Sequence, residues 1–577
     1  MLLSKIDDLI TILENKKKIP FTKLPKMLEW DYDAMERVLS LLERQGVLSI
    51  HYPLNFLEKP QLILKTLRAE VKTEEKDFNY LESYALHNTY NDFLGTVQII
   101  LPQGKKRPKY FLLPITTTNA TQAYLNEVRR EIGKSLHPSS ATKTKEEMQA
   151  EFRSRKELIK EKLKNDLQIS GPKLDMLATL LHAKMFGLGA IESLLADSQL
   201  EEIVINSSQI PVLVYHRYYG WLKTNILLQN EEESENFAAQ IARKVGKQIT
   251  VLNPILDAHL LTGDRVNATL FPISSKGNTI TLRLFARNPW TITNYMTPGV
   301  RAMSYDIAAL LWQAVHYEMN VLVAGGTASG KTSALNGLVS LIPPFQRVIS
   351  IEDTRELSLP SYQWNWVPLA TRPPNPEGAG EIKMLDLLVN SLRMRPDRIV
   401  MGEIRRRKEA EVLFEAMHTG HSVYATMHAD TGAQVIKRLV DPPIGIPASE
   451  VEDVNLIVVQ YRDRRKNLRR TLEVCEVIAG SGKPELNHIY RWNARTDKFQ
   501  NVRPAHKYVQ QMNLHTGMTD KEILDDQENK KKILKWMSSQ KLLTVEEVGK
   551  IMKLYYAEEQ TVLAAAEKGM KAEALFK

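Results

Sequence analysis

Residues 320–342 read NVLVAGGTASGKTSALNGLVSLI. An apolar strand pattern, NVLVAG, runs into Gly325-Gly326-Thr327-Ala328-Ser329-Gly330-Lys331-Thr332, and the helical pattern SALNGLVSLI follows at once. This is the full P-loop spacing in the strand–loop–helix setting that supports it. The glycines let backbone N–H groups converge on phosphate oxygens, and the helix N-terminus adds the positive end of its dipole. Lys331 is expected to reach the β- and γ-phosphates of a nucleoside triphosphate, and Thr332 to ligate Mg²⁺. The bland alternative is a chance match in a Gly-rich turn, against which the flanking strand and helix argue.

Phosphate chemistry at such a loop also needs carboxylates that hold metal and orient water. RVISIED (347–353) is a short buried-strand pattern ending in Glu352 and Asp353, with Glu356 close behind. RIVMGEIR (398–405) is a second such pattern and carries Glu403 at its tip. In a parallel sheet both strands finish at the edge where the P-loop lies. One strand-end acid is ordinarily just solvated, but two of them downstream of a P-loop point to chemistry. A third strand pattern, SVYATM (422–427), carries His421 before it and His428 after it. Beside a phosphate site these histidines could report the γ-phosphate through hydrogen bonds, with a structural role as the alternative for each. A zinc site there is disfavoured, because zinc wants more ligands and no cysteine is close in sequence.

The rest of the composition sets bounds. A chain of 577 residues allows three to five folded units at ~100–200 residues each. Its 43% hydrophobic and 25% charged content is ordinary for globular proteins. The single cysteine, Cys475, excludes an intramolecular disulfide and any four-cysteine zinc module, and suits a reducing compartment. The start, MLLSKIDDLI, has acids where a signal peptide needs an apolar stretch, and no run of ~18 apolar residues occurs. A cytoplasmic protein, peripheral to a membrane at most, is expected. The net charge of +9 is modest for the length and dispersed, which reads as solvated faces.

Along the chain, residues 1–62 suggest a winged-helix-like interaction module. Asp31 caps a helix reaching Arg44, Gly46 ends it, and Val47 to Tyr52 form a wing. That helix offers Asp33, Glu36 and Glu43 against Arg37 and Arg44, so a protein partner is favoured over DNA. Residues 63–135 mix strand and helix patterns without a functional reading. Residues 136–190 read as a solvated linker entering a helical segment. Residues 191–290 alternate with period two around one helix, an α+β domain. Residues 291–507 alternate strand and helix, the pattern of a parallel sheet covered on both faces. Residues 508–577 are a helical tail whose capping boxes are Thr519–Glu522 and Thr544–Glu547.

GGTASGKT, IEDTREL, LRMRPDRIVMGEIR and HTGHSVYATMHADT together resemble the Walker A, Asp box, Walker B and His box of the type II and type IV secretion ATPases. IEDTRELSLP is most similar to the archaeal archaellum and type IV pilus branch. Upstream, GLGAIESLLADSQLEEIVIN, PILDAHLLTGDRVNATL and TITLRLFARNPWTI are similar to the family's N-terminal domain. The resemblance covers about residues 185–475. It implies an α/β fold with a RecA-like P-loop ATPase core behind a PAS-like α+β domain. It also implies ATP and Mg²⁺ as ligands, a homo-hexamer, and an integral membrane platform protein of a pilus or secretion machine as partner. The location it implies is the inner face of the cell membrane.

By resemblance, Lys331 and Thr332 take the Walker A roles. Glu403 takes the Walker B role, orienting water through Mg²⁺ or directly. Glu352, Asp353 and Glu356 form the Asp box, and His421 and His428 the His box. Arg265 and Arg283 match N-terminal-domain arginines that reach nucleotide phosphates, with Arg287 and Arg393 as weaker candidates. An arginine supplied on closure contributes ~10³–10⁵ in rate. Arg405 follows Glu403 as in the family motif, where it would hold a domain or subunit interface. Closure is expected about residues 287–293, with the Pro/Gly-rich loop 371–380 moving too. The chief rival within the class is a conjugative or DNA-uptake motor. Outside it stand a translocase acting directly on DNA and a non-enzymatic nucleotide-gated scaffold, which would be free to lose Lys331, Thr332 and Glu403.

Overall fold

Val321–Gly325, the strand that leads into the P-loop, is buried at every residue and has a parallel strand on each side. A computed structural model describes residues 2–576 apart from 17, 52–60, 65–77, 136–144, 189, 261, 286–288, 373, 375–377 and 467. The chain divides into two units, Met1–Phe285 and Ala286–Lys577.

In the second unit, six strands are mutually parallel. In sheet order they are Trp366–Ala370, Val348–Glu352, Arg398–Met401, Ser422–Met427, Val321–Gly325 and Leu456–Asp463. Their inner members are apolar runs without alternation, as expected when both faces are covered. Val321 and Val323 enter one core together with Val400 and Tyr424, while Leu322 and Ala324 enter the core on the other face with Ile399 and Ala425. The sheet then continues antiparallel through Leu468–Ile478, Glu485–Asn493 and Lys498–Asn501, an extension the strand–helix alternation does not announce.

The tail is part of this unit. Helices Asp520–Ser539 and Val545–Ala557 begin at the two capping boxes, Thr519 with Glu522 and Thr544 with Glu547. The first lies on helix Tyr305–His316, where Gln313 Nε2 donates to Ile523 O (2.9 Å) and Asp526 Oδ2 (2.7 Å). Lys530 is wholly buried and pairs with Asp526, and its ammonium also donates to Tyr555 Oη at 3.0 Å. A buried cation needs such partners, which ties the tail in one register.

The first unit holds a second nine-stranded sheet. Strands Leu200–Ile205 to Thr279–Arg283 share it with Phe78–His87, Phe93–Pro102 and Lys109–Pro114. The join is one parallel pairing, Lys109 beside Lys223 and Tyr110 beside Thr224, so residues 78–114 and 200–283 build one sheet. At the start of the chain, the Asp31 carboxylate accepts from Ala34 N to cap helix Tyr32–Arg44. A three-stranded sheet, with Gln61–Leu64 between Lys18–Pro20 and Leu48–His51, follows the helices. Tyr52, assigned to the wing, and residues 136–144 of the linker lie outside the described residues. Helix Lys145–Leu167 begins inside the stretch whose charge reads as linker. Ile159, Leu163 and Leu167 are buried with the N-terminal helices, joined by Lys156 and by Asp166, which accepts from Tyr124, so only the remaining charged residues form the other face of the helix. Among the described residues, no helix is long and apolar enough to cross a membrane.

Candidate active site

The P-loop lies where the central strand ends. Gly325 has φ +154, and a Cβ there would stand 2.4 Å from Gln460 O and 2.3 Å from Ser329 Oγ. Gly330 has φ +94 and starts helix Lys331–Val339. Only glycine fits the first position without displacing the neighbouring strand, and it suits the second best. Ala328 is also left-handed, at φ +58. Among the described residues, Ser329 Oγ is buried with no hydrogen-bond partner. Thr332 lies in the helix's first turn, half-buried.

Lys331 is nearly buried, and its ammonium donates to Gly326 O at 3.2 Å. It also stands 3.3 Å from His428 Nδ1. His428 Nε2 lies 3.2 Å from Glu403 Oε1. Burial, then the Lys331 charge, holds the His428 pKa below its usual value, with Glu403 pulling the other way. The Lys331 ammonium lies about equally far from the second ring nitrogen, 3.4 Å from Nε2, so the His428 ring sits between Lys331 and Glu403. The other Glu403 oxygen takes Arg405 Nη2 at 2.7 Å, and Arg405 also pairs with Asp353. Lys331, His428, Glu403, Arg405 and Asp353 thus form one connected chain at the C-terminal edge of the sheet.

Glu352 stands apart from that chain. It is 2% exposed, and its Oε1 accepts from the backbone N–H groups of Glu356 (2.9 Å) and Leu357 (3.0 Å). Oε2 is buried without a partner among the described residues. Burial raises its pKa to about 7, against the pull of those two N–H groups. A carboxyl poised near neutrality can take or give a proton at physiological pH. Glu356 contributes its backbone N–H and has a half-buried side chain.

The structure does not bring every expected residue to this edge. His421 precedes strand Ser422–Met427 while His428 follows it, so the two sit at opposite edges, ~20 Å apart at ~3.3 Å per residue. His421 Nδ1 lies 3.0 Å from Thr419 Oγ1 and 3.2 Å from Ala416 O, at the end of helix Arg407–His418. Arg265 and Arg283 belong to the first unit, directly opposite each other on adjacent strands. Arg265 is held by both oxygens of Asp257, at 2.9 and 3.3 Å. Glu202 lies opposite Arg283 on the next strand. Arg287 and residues 375–377 of the Pro/Gly-rich loop lie outside the described residues.

A cavity of about 850 Å³ opens beside the P-loop, lined by Gly326, Thr327, Asp430, Lys437, Arg438 and Arg464 among others, with His428 in its wall. Sequence reading named Gly326 and Thr327 but missed Asp430, Lys437, Arg438 and Arg464. Arg438, whose guanidinium holds the His428 carbonyl, stands one helix turn beyond Gln434 and carries no motif of its own.

A parallel sheet with this loop at the tip of its central strand, His428 at the tip of the adjacent strand and acids at the tips of the next two, defines a P-loop nucleotide-binding fold. The comparisons with known proteins agree. The family model described as "Type II/IV secretion system protein" matches residues 190–512, and the chain belongs to that family. The uncharacterized protein MJ0900 of Methanocaldococcus jannaschii is 32% identical over 402 residues, covering 68% of this chain and 72% of that one. The type IV secretion system protein PtlH of Bordetella pertussis is 30% identical over 274 residues, 44% of this chain and 80% of its own. Among solved structures, the VirB11 ATPase from the Brucella suis type IV secretion system, in complex with sulphate, is 26% identical. It covers 49% of this chain and 90% of that chain, with a TM-score of 0.25.

Proposed function

We propose that this chain is an ATP-hydrolysing motor, acting as a ring hexamer, that powers a pilus, archaellum or type II secretion-like machine at the inner face of the cell membrane. Its partner is an integral membrane platform protein. The observation that carries the reading is the chain of contacts from Lys331 through His428 and Glu403 to Arg405 and Asp353. The same groups that pair with one another here are those needed to grip triphosphate and handle water. Gly325, with no room for a Cβ, and the unpartnered Ser329 Oγ fit a phosphate cradle.

Gly325 to Thr332 bind the phosphates, and Lys331 exchanges Gly326 O and His428 for phosphate oxygens. Thr332 and Glu403 are the residues that would hold Mg²⁺, which when bound offsets the phosphate charge. Glu403 and Asp353 orient water once Arg405 releases them, and Glu352, with Glu356 supporting it, accepts the proton. His428 reports phosphate occupancy through its contact with Lys331, and His421, at the other edge, serves the packing of its own helix end. Arg265 and Arg283, now facing Asp257 and Glu202, would be delivered to a phosphate on closure. Residues 1–135, with their winged-helix-like start, select the machine, and nucleic acid is not expected among the partners.

The relative named as a putative conjugal transfer protein in Mycobacterium tuberculosis, 31% identical over 276 residues, favours a second reading, a conjugative motor on the same core. The test is Glu403→Gln. Nucleotide binding by calorimetry should persist while phosphate release falls by about 10²-fold or more, because charge is lost and shape is kept. Turnover at the wild-type rate would contradict the assignment. Light scattering should show a sixfold species with a non-hydrolysable ATP analogue, and a monomer under all conditions would remove the ring.

A further inference from the structure

Away from the P-loop chemistry, three potential metal ligands of different types meet on one face of the antiparallel extension: Glu473, Cys475 and His488. Cys475 Sγ lies 3.0 Å from His488 Nδ1, and His488 Nδ1 lies 3.2 Å from Glu473 Oε2. All three ligand atoms fall within 4.8 Å of one another. Glu473 and Cys475 are two apart on strand Leu468–Ile478 and so share a face. His488 joins them through a bulge. Tyr490 pairs with Val474, but the next pair is His488 with Cys475, skipping Ile489. Without that extra residue Ile489 would face Cys475, and His488 would point to the other side of the sheet.

We propose that Glu473, Cys475 and His488 form a zinc site. Thiolate, imidazole and carboxylate together are a zinc donor set, and three protein ligands leave the fourth tetrahedral position for water. Zinc bonds of about 2.0–2.3 Å place ligand atoms about 3.3–3.6 Å apart in a tetrahedron. The two separations from His488 Nδ1, 3.0 and 3.2 Å, need only a few tenths of an ångström of expansion, and the thiol and carboxylate lie within 4.8 Å of each other. Binding releases one proton, from the Cys475 thiol, and His488 keeps its own by moving it from Nδ1 to Nε2. The ligands then carry two negative charges, which the ion balances. A nucleophilic Cys–His–Glu triad is excluded by access, since Cys475 is fully buried.

Two neighbours define what the site does. Arg491 Nη2 lies 3.3 Å from His488 Nε2, and its Nε lies 3.4 Å from Glu473 Oε2, so a half-exposed guanidinium stands in for cationic charge and must swing away for the metal. On the other side, Glu473 Oε1 accepts from Gly432 N at 2.7 Å, the first residue of helix Gly432–Val440. A Cβ on Gly432 would come within 3.6 Å of Cys475 Sγ. The stretch leading into that helix, His428 to Thr431, lines the P-loop cavity. The metal is therefore a clip beneath one wall of the phosphate site, fixing Glu473 and, through it, the Gly432 N–H.

The full chain, stripped with chelator, is titrated with Zn²⁺ by calorimetry and with Co²⁺ by absorption. One equivalent should bind, and cobalt should give a thiolate charge-transfer band. His488→Ala and Cys475→Ser should each weaken binding at least ~100-fold, and Arg491→Ala, which removes the competing cation, should tighten it several-fold. Zn²⁺ should also slow amide exchange at Gly432. Absence of the charge-transfer band, wild-type affinity in the two ligand variants, or weaker binding by Arg491→Ala would overturn the site. Unchanged exchange at Gly432 would overturn the clip.

Discussion

Replacing Glu352 by glutamine tests whether this carboxyl is kept protonated near neutrality, and the size of the effect follows from its surroundings. Its pKa is raised from 4.5 to about 7 by burial. Below pH 4.5 the carboxyl is neutral in both folded and unfolded chains, so folding costs nothing extra. Between 4.5 and about 7 the unfolded chain ionises first and the folded state loses ground. Above about 7 the loss is complete. At ~1.4 kcal/mol per tenfold change in proton affinity, it comes to about 3 kcal/mol. Glutamine never ionises, and its carbonyl can still accept from the N–H groups of Glu356 and Leu357. Urea denaturation of wild type and Glu352→Gln at pH 5 and pH 9 should therefore give stability differences that diverge by about 3 kcal/mol, with the variant favoured at pH 9. Comparing the two pH values cancels any fixed cost of the amide group. Parallel behaviour at both pH values would show that Glu352 is ionised throughout and would remove it as the proton acceptor.

Gly325→Ala should destabilise the second unit by ~2 kcal/mol or more and abolish nucleotide binding, because its Cβ meets the backbone oxygen of Gln460 at 2.4 Å. Denaturation and calorimetry check both effects, and near-normal stability would refute the close approach. Lys530→Met strands the buried Asp526 charge and should cost about 3 kcal/mol, part of it regained in Lys530→Met/Asp526→Leu. A single-variant loss below about 1 kcal/mol by urea denaturation would show that the tail is docked by its apolar contacts alone. Duplex DNA should leave phosphate release unchanged at low salt, whereas stimulation that disappears as salt rises would favour the translocase.

Much of the catalytic edge was legible because its signals are local. The P-loop spacing, the buried runs ending near Glu352 and Glu403, and the Thr519 and Thr544 capping boxes each declare themselves within about ten residues. What stayed hidden depends on partners far along the chain. The flanking of SVYATM by two histidines looks symmetrical in sequence, but a strand carries its ends to opposite edges, so His428 reaches Lys331 and His421 does not. The parallel pairing of Tyr110 with Thr224 joins segments that local periodicity leaves separate. Gln313 shows no sign in its own helix that it will hold the tail through Asp526. The meeting of Cys475 with His488 turns on one bulged residue, Ile489, which no periodicity announces.

The most direct test of the account is phosphate release from Mg·ATP by the full chain, with wild type and Lys331→Ala compared at equal concentration. Wild type should turn over, and the variant, without the cation that His428 and Gly326 now hold, should fall at least ~100-fold with weakened nucleotide binding. Equal phosphate release by the two proteins would contradict the claim that this loop grips the triphosphate.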